Sequence, residues 1–302
     1  METLIKHIKT HWTDKILGLF FRFAASGKIP AKWFLATIPS KAERAINSER
    51  LTLEIVSHCW KYAHLLDYQL SSLVNYPPTQ LNVIVTVFYS SEDADTVAML
   101  DFFAEQTVNN ITWNWQELPK EKLFRRSIGR NQAALNTQAD WVWFTDCDLV
   151  FHHYCLDGLA ESLKGKSEVL FFPLQERITT LLTETDPILV KGAKPQVLDI
   201  DTSNFHTVNI TRATGPLQIT NGTVARSCGY CKTIGIYQKP ENHWCKAYED
   251  RAFRWLLRSQ GVGIDIPGIY RIQHITKGRY KKGTIKTRLR QNIRRMREKN
   301  SN

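Results

Sequence analysis

Residues 141 to 151 read WVWFTDCDLVF, and they set Asp146 and Asp148 one residue apart where an apolar run of aromatics and valine should be ending. Carboxylates are costly to bury unless something compensates them. The run before them reads as a buried strand, and the chain upstream repeats the pattern. LTLEIVSHC (51–59) is a nearly continuous apolar strand that stops at a polar turn, and WKYAHLLDYQLSSLVNY (60–76) has helical spacing and halts at Pro77-Pro78. LNVIVTVFYS (81–90) is a second strand, followed by the acidic turn SEDAD, and TVAMLDFFAEQ (96–106) a helix. ITWNWQEL (111–118) is a third strand, and LFRRSIGRNQAALNTQ (123–138) a helix leading into DWVWFTDCDLVF. Strand and helix alternate four times. That predicts an α/β layer fold, a mostly parallel sheet flanked by helices, with ligands bound beyond the carboxyl ends of its strands.

Farther on, a helix near Tyr154 to Leu163 leads to a strand, EVLFFP (168–173). Residues 174–220 have weak periodicity and scattered Pro, Gly, Asp and Thr, and are expected to contain the long loops that adapt the protein to its own substrate. Order returns with NGTVARSCGYCKTIG (221–235), then YEDRAFRWLLRSQG (248–261), a helix ended by Gly261, and a last strand, GIYRIQH (268–274). Residues 1–50 read as a helical, partly basic appendage, residues 51–276 as one domain with halves at 51–148 and 149–276, and residues 277–302 as a basic tail.

The chain of 302 residues carries a formal charge of +11, yet from Lys277 onward eleven Lys or Arg stand against Glu298 alone. The body is therefore nearly neutral, which argues against a nucleic-acid groove. The apolar run Ile16–Ala25 is too short to span a bilayer, contains Arg22, and reads as a packed or interfacial helix. The start of the chain lacks the pattern of a secretory signal, so its six cysteines suit a reducing compartment, and a cytoplasmic protein, peripheral to the inner face of a membrane where its tail touches lipid, is the expectation. On that reading the Asn-X-Thr triplets at Asn110, Asn209 and Asn221 meet no glycosylation machinery.

In a strand, residues two apart point to one side, so Asp146 and Asp148 would offer converging hard oxygens to Mn²⁺ or Mg²⁺, a setting in which a divalent ion clamps a diphosphate. Cys147 would then face the core. The other reading makes both aspartates turn residues capping the next helix.

Several stretches, in order, decide between these readings. LEIVSHCW, FYSSEDADT, GRNQAALNTQADWVWFTDCDLVF, YEDRAFRWLLRSQG and YRIQH together resemble the GT-A glycosyltransferases, particularly family 2 and its galactosyltransferase-like relatives, over roughly residues 51–276. The resemblance implies a Rossmann-like GT-A fold and a metal-dependent, inverting hexosyltransferase. Such an enzyme moves a sugar from a nucleoside-diphosphate sugar, UDP favoured, to a hydroxyl of a glycan or glycolipid. It implies that Asp146 and Asp148 hold the metal, with His274 as third ligand or as a core histidine. It places Ser57, Glu92, Asp93 and Arg130 at the nucleotide, against the alternative of a turn serine and solvated charges. It makes Asp250 the base and Glu249 an acceptor contact, although both also suit the first turn of a helix. Trp244 would stack on a sugar or sit in the core.

Cys228, Cys231, His243 and Cys245 have the spacing of a structural zinc site, and equally of free buried thiols or a redox pair. In the tail, Ile285, Leu289, Ile293 and Met296 form an apolar stripe among cations, suited to an anionic membrane, to packing on the body, to polyanions, or to a solvated tail. A nucleotidyltransferase uses a similar sheet, but SHCWKY lacks the glycine-rich phosphate loop. A non-catalytic sugar-nucleotide binder would bind donor and release no nucleotide.

Overall fold

The computed structural model describes residues 12–244, 247–275 and 293. Cys245 of the cysteine set and, apart from Ile293, the basic tail lie outside them. The strands are β1 (Thr52–His58), β2 (Asn82–Tyr89), β3 (Ile111–Glu117), β4 (Trp141–Phe144), β5 (Leu149–Phe151), β6 (Leu170–Pro173), β7 (Gln175–Ile178), β8 (His206–Asn209), β9 (Gln218–Asn221), β10 (Val262–Ile264) and β11 (Ile269–Arg271). The α-helices are α1 (Trp12–Phe23), α2 (Ala63–Asn75), α3 (Ala94–Ala104), α4 (Lys120–Leu123), α5 (Arg126–Asn136), α6 (Cys155–Leu163), α7 (Pro187–Lys191), α8 (Gly222–Cys228) and α9 (Glu249–Leu256).

Seven strands form the main sheet in the order β10-β6-β9-β4-β1-β2-β3. All are parallel except β9, which runs antiparallel to both β4 and β6. A second sheet, β5-β11-β7-β8, stands beyond the carboxyl end of β4. Both faces of the main sheet are covered, as a parallel sheet requires. Along β4 the side chains alternate. Trp141 and Trp143 join a core with Ile55, Leu66 and Met99, while Val142 and Phe144 join another with Ala133, Val224 and Phe253. An all-apolar WVWF is thus what a strand buried on two faces needs.

Three sequence expectations are corrected. Residues 174–220, expected to contain long loops, also carry β7, α7, β8 and most of β9, and β9 is central to the sheet. Its four residues, Gln218, Ile219, Thr220 and Asn221, are all buried, and a polar strand of that length has no apolar pattern to announce it. The predicted helix over 123–138 breaks into α4 and α5, with Arg125 between them in a non-helical conformation. The helix after Glu249 ends before Gly261, and Arg258 takes the left-handed turn at φ 52°.

Residues 12–50 pack on the body. Phe21, Ala24, Ala25 and Ala31 enter the core that holds Phe253 and Trp255, and Arg44 Nε donates to the carbonyl of Ser167 at 2.6 Å. Asn221 caps α8 by accepting from the Thr223 and Val224 amides, and its Nδ2 donates to the Arg44 carbonyl at 3.1 Å. Asn221→Ala is expected to lower unfolding free energy by about 1–2 kcal/mol, read from urea denaturation. Its full burial also removes this triplet as a glycan acceptor.

Candidate functional site

Strand β4 ends at Phe144, and the backbone then leaves the sheet. Thr145 still donates to the Val56 carbonyl at 3.0 Å, and Leu149 N donates to the Asp146 carbonyl at 3.2 Å, closing a turn around Asp146-Cys147-Asp148. The aspartates therefore stand in a turn past the strand, and strand alternation, the expected reason for their convergence, does not apply. Cys147 does face the core. The turn is held from beneath by Gln69 on α2, whose Nε2 donates to the carbonyls of Asp146 (2.9 Å) and Leu149 (3.0 Å). Ser57 is buried and donates to Gln69 Oε1 at 2.5 Å. Its hydroxyl thus positions the turn and is not open to a nucleoside.

The side chain of Asp146 is partly exposed and faces two guanidinium groups on α5. Arg126 pairs with its Oδ1, and Arg130 Nη2 approaches the same oxygen at 3.3 Å. Four residues apart on a helix, both arginines share one face. Arg126 also reaches Glu249 Oε1 at 3.4 Å, so it bridges the aspartate turn to the start of α9. Burial works against its charge, but Asp146 and Glu249 outweigh that and raise its pKa.

Arg130 is fully buried. It donates to Tyr230 Oη at 2.9 Å and to the Thr145 carbonyl at 3.1 Å. Tyr230 stacks on Phe253 and donates to Gln218 Oε1 at 2.9 Å, and Gln218 Nε2 donates to the Asp250 carbonyl at 3.2 Å. Two polar routes therefore tie Asp146 to the Glu249-Asp250 pair. Glu249 is buried, with Oε2 lacking a hydrogen-bond partner, while the Asp250 side chain is 31% exposed and lies 3.7 Å from Arg254 Nη1. Asp250 is thus the acid of the pair with access to a ligand.

On the other side of the turn, the Asp148 carbonyl accepts from Ile272 N at 2.9 Å, joining it to the residue just past β11. Glu176 on β7 is buried and paired with Arg271. Burial raises its pKa, Arg271 opposes this, and Asp148 adds to the rise.

His274, Asp93, Glu92 and Trp244 each contact other side chains. His274 is buried, edge-on to Tyr62 at 5.2 Å and to His64 at 6.4 Å. Among the described residues no three His, Cys, Asp or Glu side chains form a group that could hold a metal ion. Asp93 is buried and accepts from Lys61 N (2.5 Å) and Thr96 Oγ1 (2.7 Å), tying the turn after β2 to the turn after β1. Glu92 is exposed and pairs with Lys120 at 2.5 Å. Trp244 packs edge-on to Phe124 at 6.3 Å. The zinc reading has no support among the described residues. Cys228 and Cys231 are buried, burial raises both thiol pKa values, and Cys231 Sγ donates to the Glu249 carbonyl at 3.3 Å, whereas His243 is exposed.

Sequence reasoning missed Arg126, Gln69, Glu176 and Tyr230. Only Arg126 had a signal, its four-residue spacing from Arg130. It also missed His58, buried at the end of β1, stacked on Phe88 at 5.0 Å with neither ring nitrogen hydrogen-bonded. Gly129 lets α5 pass this close, since a Cβ there would fall 2.9 Å from the Phe88 ring and collide with His58. Burial first, then Arg130 and Arg126, push the His58 pKa well below 6.5, with Asp146 opposing. Below pH 6.5 the unfolded chain takes a proton that the folded chain refuses, so stability falls as pH falls. The expected contribution is about 1.4 kcal/mol per pH unit below 6.5, measured by urea denaturation and absent from His58→Phe.

Residues 55–193 match the family model described as glycosyl transferase family 2. No curated protein sequence matches. Among solved structures, S. aureus TarS 1–349 is 15% identical with TM-score 0.41, covering 74% of this chain and 58% of its own. Its complex with UDP-GlcNAc gives 13% and 0.46, with 78% and 61% covered. The mannosyltransferase PcManGT from Pyrobaculum calidifontis, in complex with GDP-Man and Mn²⁺, gives 15% and 0.42, with 94% and 76% covered. The chain spans about three fifths of the length of those two TarS structures. Residues 55–193, which hold most of β1, all of β2 to β7 and the aspartate turn, are thus similar to glycosyl transferase family 2, and the fold is a mixed α/β one with a mostly parallel central sheet flanked by helices.

Proposed function

We propose that the protein is an inverting glycosyltransferase that moves a sugar from a nucleoside-diphosphate sugar, UDP favoured, to a hydroxyl of a glycan or glycolipid. The observation that carries this reading is the bridge from Asp146 through Arg126 to Glu249, which gathers the donor-side turn and the acceptor-side acids into one site. Asp146 and Asp148 supply the hard carboxylate oxygens that Mg²⁺ or Mn²⁺ takes, and such an ion needs only one or two carboxylates beside phosphate oxygens and water. When bound, the metal would neutralise the departing diphosphate. His274, two residues beyond the Ile272 amide that bonds the Asp148 carbonyl, would be the third protein ligand.

The chain's own residues do the rest. Gln69, fixed by Ser57, holds the turn in place. Arg126 balances Asp146 and Glu249, and Asp250 takes the proton from the acceptor hydroxyl as it attacks the anomeric carbon. Glu249 supports the acceptor side. Membrane contact through the tail belongs to the same reading and concerns residues outside those described.

Calorimetry of UDP binding with and without Mn²⁺, on the wild type and on Asp148→Asn, tests the donor site. Binding that requires metal and is lost in Asp148→Asn is the expected result. If neither UDP nor any other nucleotide binds in the presence of metal, the donor assignment is wrong.

A further inference from the structure

Helix α1 carries its large apolar side chains on the wrong side for a packed helix. Trp12, Ile16, Leu19, Phe20 and Phe23 follow one another at helical spacing and form a single stripe. All are exposed, from 39% for Phe20 to 70% for Trp12, while Phe21 on the opposite face is the one that enters the core. Trp33, also 70% exposed, precedes Phe34, whose ring lies 6.3 Å from that of Phe20. Single exposed apolar residues are ordinary, but a contiguous patch of this kind marks an interaction surface.

The charges around the stripe indicate what covers it. Lys15, Arg22, Lys28 and Lys32 are exposed, and the one acid between residues 12 and 33, Asp14, turns inward to Lys239 at 2.6 Å. A two-fold pairing of this face with a second copy would set these cations against their own duplicates. An anionic lipid surface complements them, and Trp and Phe beside Lys and Arg are the composition of an interfacial helix. Among the described residues no helix is long and apolar enough to cross a membrane.

A second feature adjoins the first. Past Phe23 the chain turns through Gly27, at φ 89°, and rims a cavity of about 750 Å³ lined by Arg212, Arg251, Arg254 and Arg258, with no carboxylate in its lining. Arg254 is depressed below the usual arginine range by burial, and Arg212 and Arg251 add to this against the pull of Asp250. An anion in the cavity would relieve that repulsion.

We propose that α1 lies in the headgroup layer of an anionic membrane, its Trp12 to Phe23 stripe among the acyl chains, and that the arginine-lined cavity receives a lipid headgroup phosphate. Arg22 stacks over Tyr248, the residue before Glu249, at 4.5 Å, so this surface sits beside the acidic pair. The inference stands on the exposed face and the cavity, and does not depend on the donor-site reading.

Co-sedimentation of the full chain with vesicles of phosphatidylcholine alone, and of phosphatidylcholine mixed with phosphatidylglycerol, tests it. The wild type is expected to bind the mixed vesicles more strongly. Leu19→Glu combined with Phe23→Glu, both on the exposed face, should weaken partition by about tenfold or more while leaving nucleotide binding intact. Arg212→Gln should reduce the preference for the mixed vesicles and leave binding to phosphatidylcholine unchanged. Three results would overturn the proposal: wild type that stays in the supernatant with both vesicles, a double variant that partitions like wild type because the tail does the binding, or a wild-type dimer in sedimentation velocity that the double variant loses.

Discussion

Asp250→Asn is expected to reduce turnover by about 10²–10⁴-fold while nucleotide binding stays near the wild-type value. The substitution keeps the shape of the side chain and removes the carboxylate that would accept the acceptor's proton. Asp250 stands in the first turn of α9, where a negative charge also steadies the helix by about 0.3–1 kcal/mol, so the loss of stability should be small. Its neighbour Arg254 keeps bonds to Gln260 and to the Ala213 carbonyl, and does not become an isolated buried charge. The kinetic effect should therefore appear in kcat, with KM for the donor little changed, as for a group that acts in the transition state. Glu249→Gln is the informative partner. Glu249 is buried against Arg126, so its substitution should disturb the link to Asp146 and weaken donor binding as well as turnover. Full turnover by Asp250→Asn, with turnover lost in Glu249→Gln, would move the base to Glu249.

The same contrast between exposed and buried side chains separates the parts of the fold that the sequence discloses from those it hides. Strands β1, β2 and β4 and their helices were legible because a parallel strand covered on both faces is nearly continuous in apolar residues, as LEIV, VIVTVF and WVWF are, and the two polar exceptions, Glu54 and Thr86, bond to each other. The aspartate turn was legible because two carboxylates after such a run have no place in a core. β9 was not legible, since Gln218 and Asn221 are buried through partners far along the chain, Tyr230 and Asp250 for the first and Arg44 for the second. Roles followed the same divide. Ser57 and Asp93 sit where nucleotide contacts were expected, yet their hydrogen bonds go to Gln69, Lys61 and Thr96, and sequence position cannot tell a ligand contact from a residue that braces one.

Arg130→Met is expected to cost about 3–5 kcal/mol of unfolding free energy, the largest stability effect among the site substitutions. Arg130 has no exposed surface, and its guanidinium is surrounded by the Tyr230 hydroxyl, the Thr145 carbonyl and the Asp146 carboxylate. The guanidinium carbon also lies 5.3 Å from the Tyr230 ring centroid and 6.0 Å from that of Phe144. Methionine would fill much of the volume, but it leaves the Thr145 carbonyl without this donor and removes one of two charges facing Asp146. Lysine would not restore the site, because one ammonium cannot reach three acceptors set by a planar fork. Arg126→Met should behave differently. Arg126 is 23% exposed, so its loss should cost stability nearer 1 kcal/mol and instead uncouple Asp146 from Glu249. Urea denaturation of the two variants, paired with UDP calorimetry, separates these roles: Arg130→Met should unfold at clearly lower urea, and Arg126→Met should unfold near wild type with altered donor binding. Equal midpoints for Arg130→Met and wild type would mean that the turn at Asp146 is held by Gln69 and the sheet alone, and that the buried arginine does not brace it.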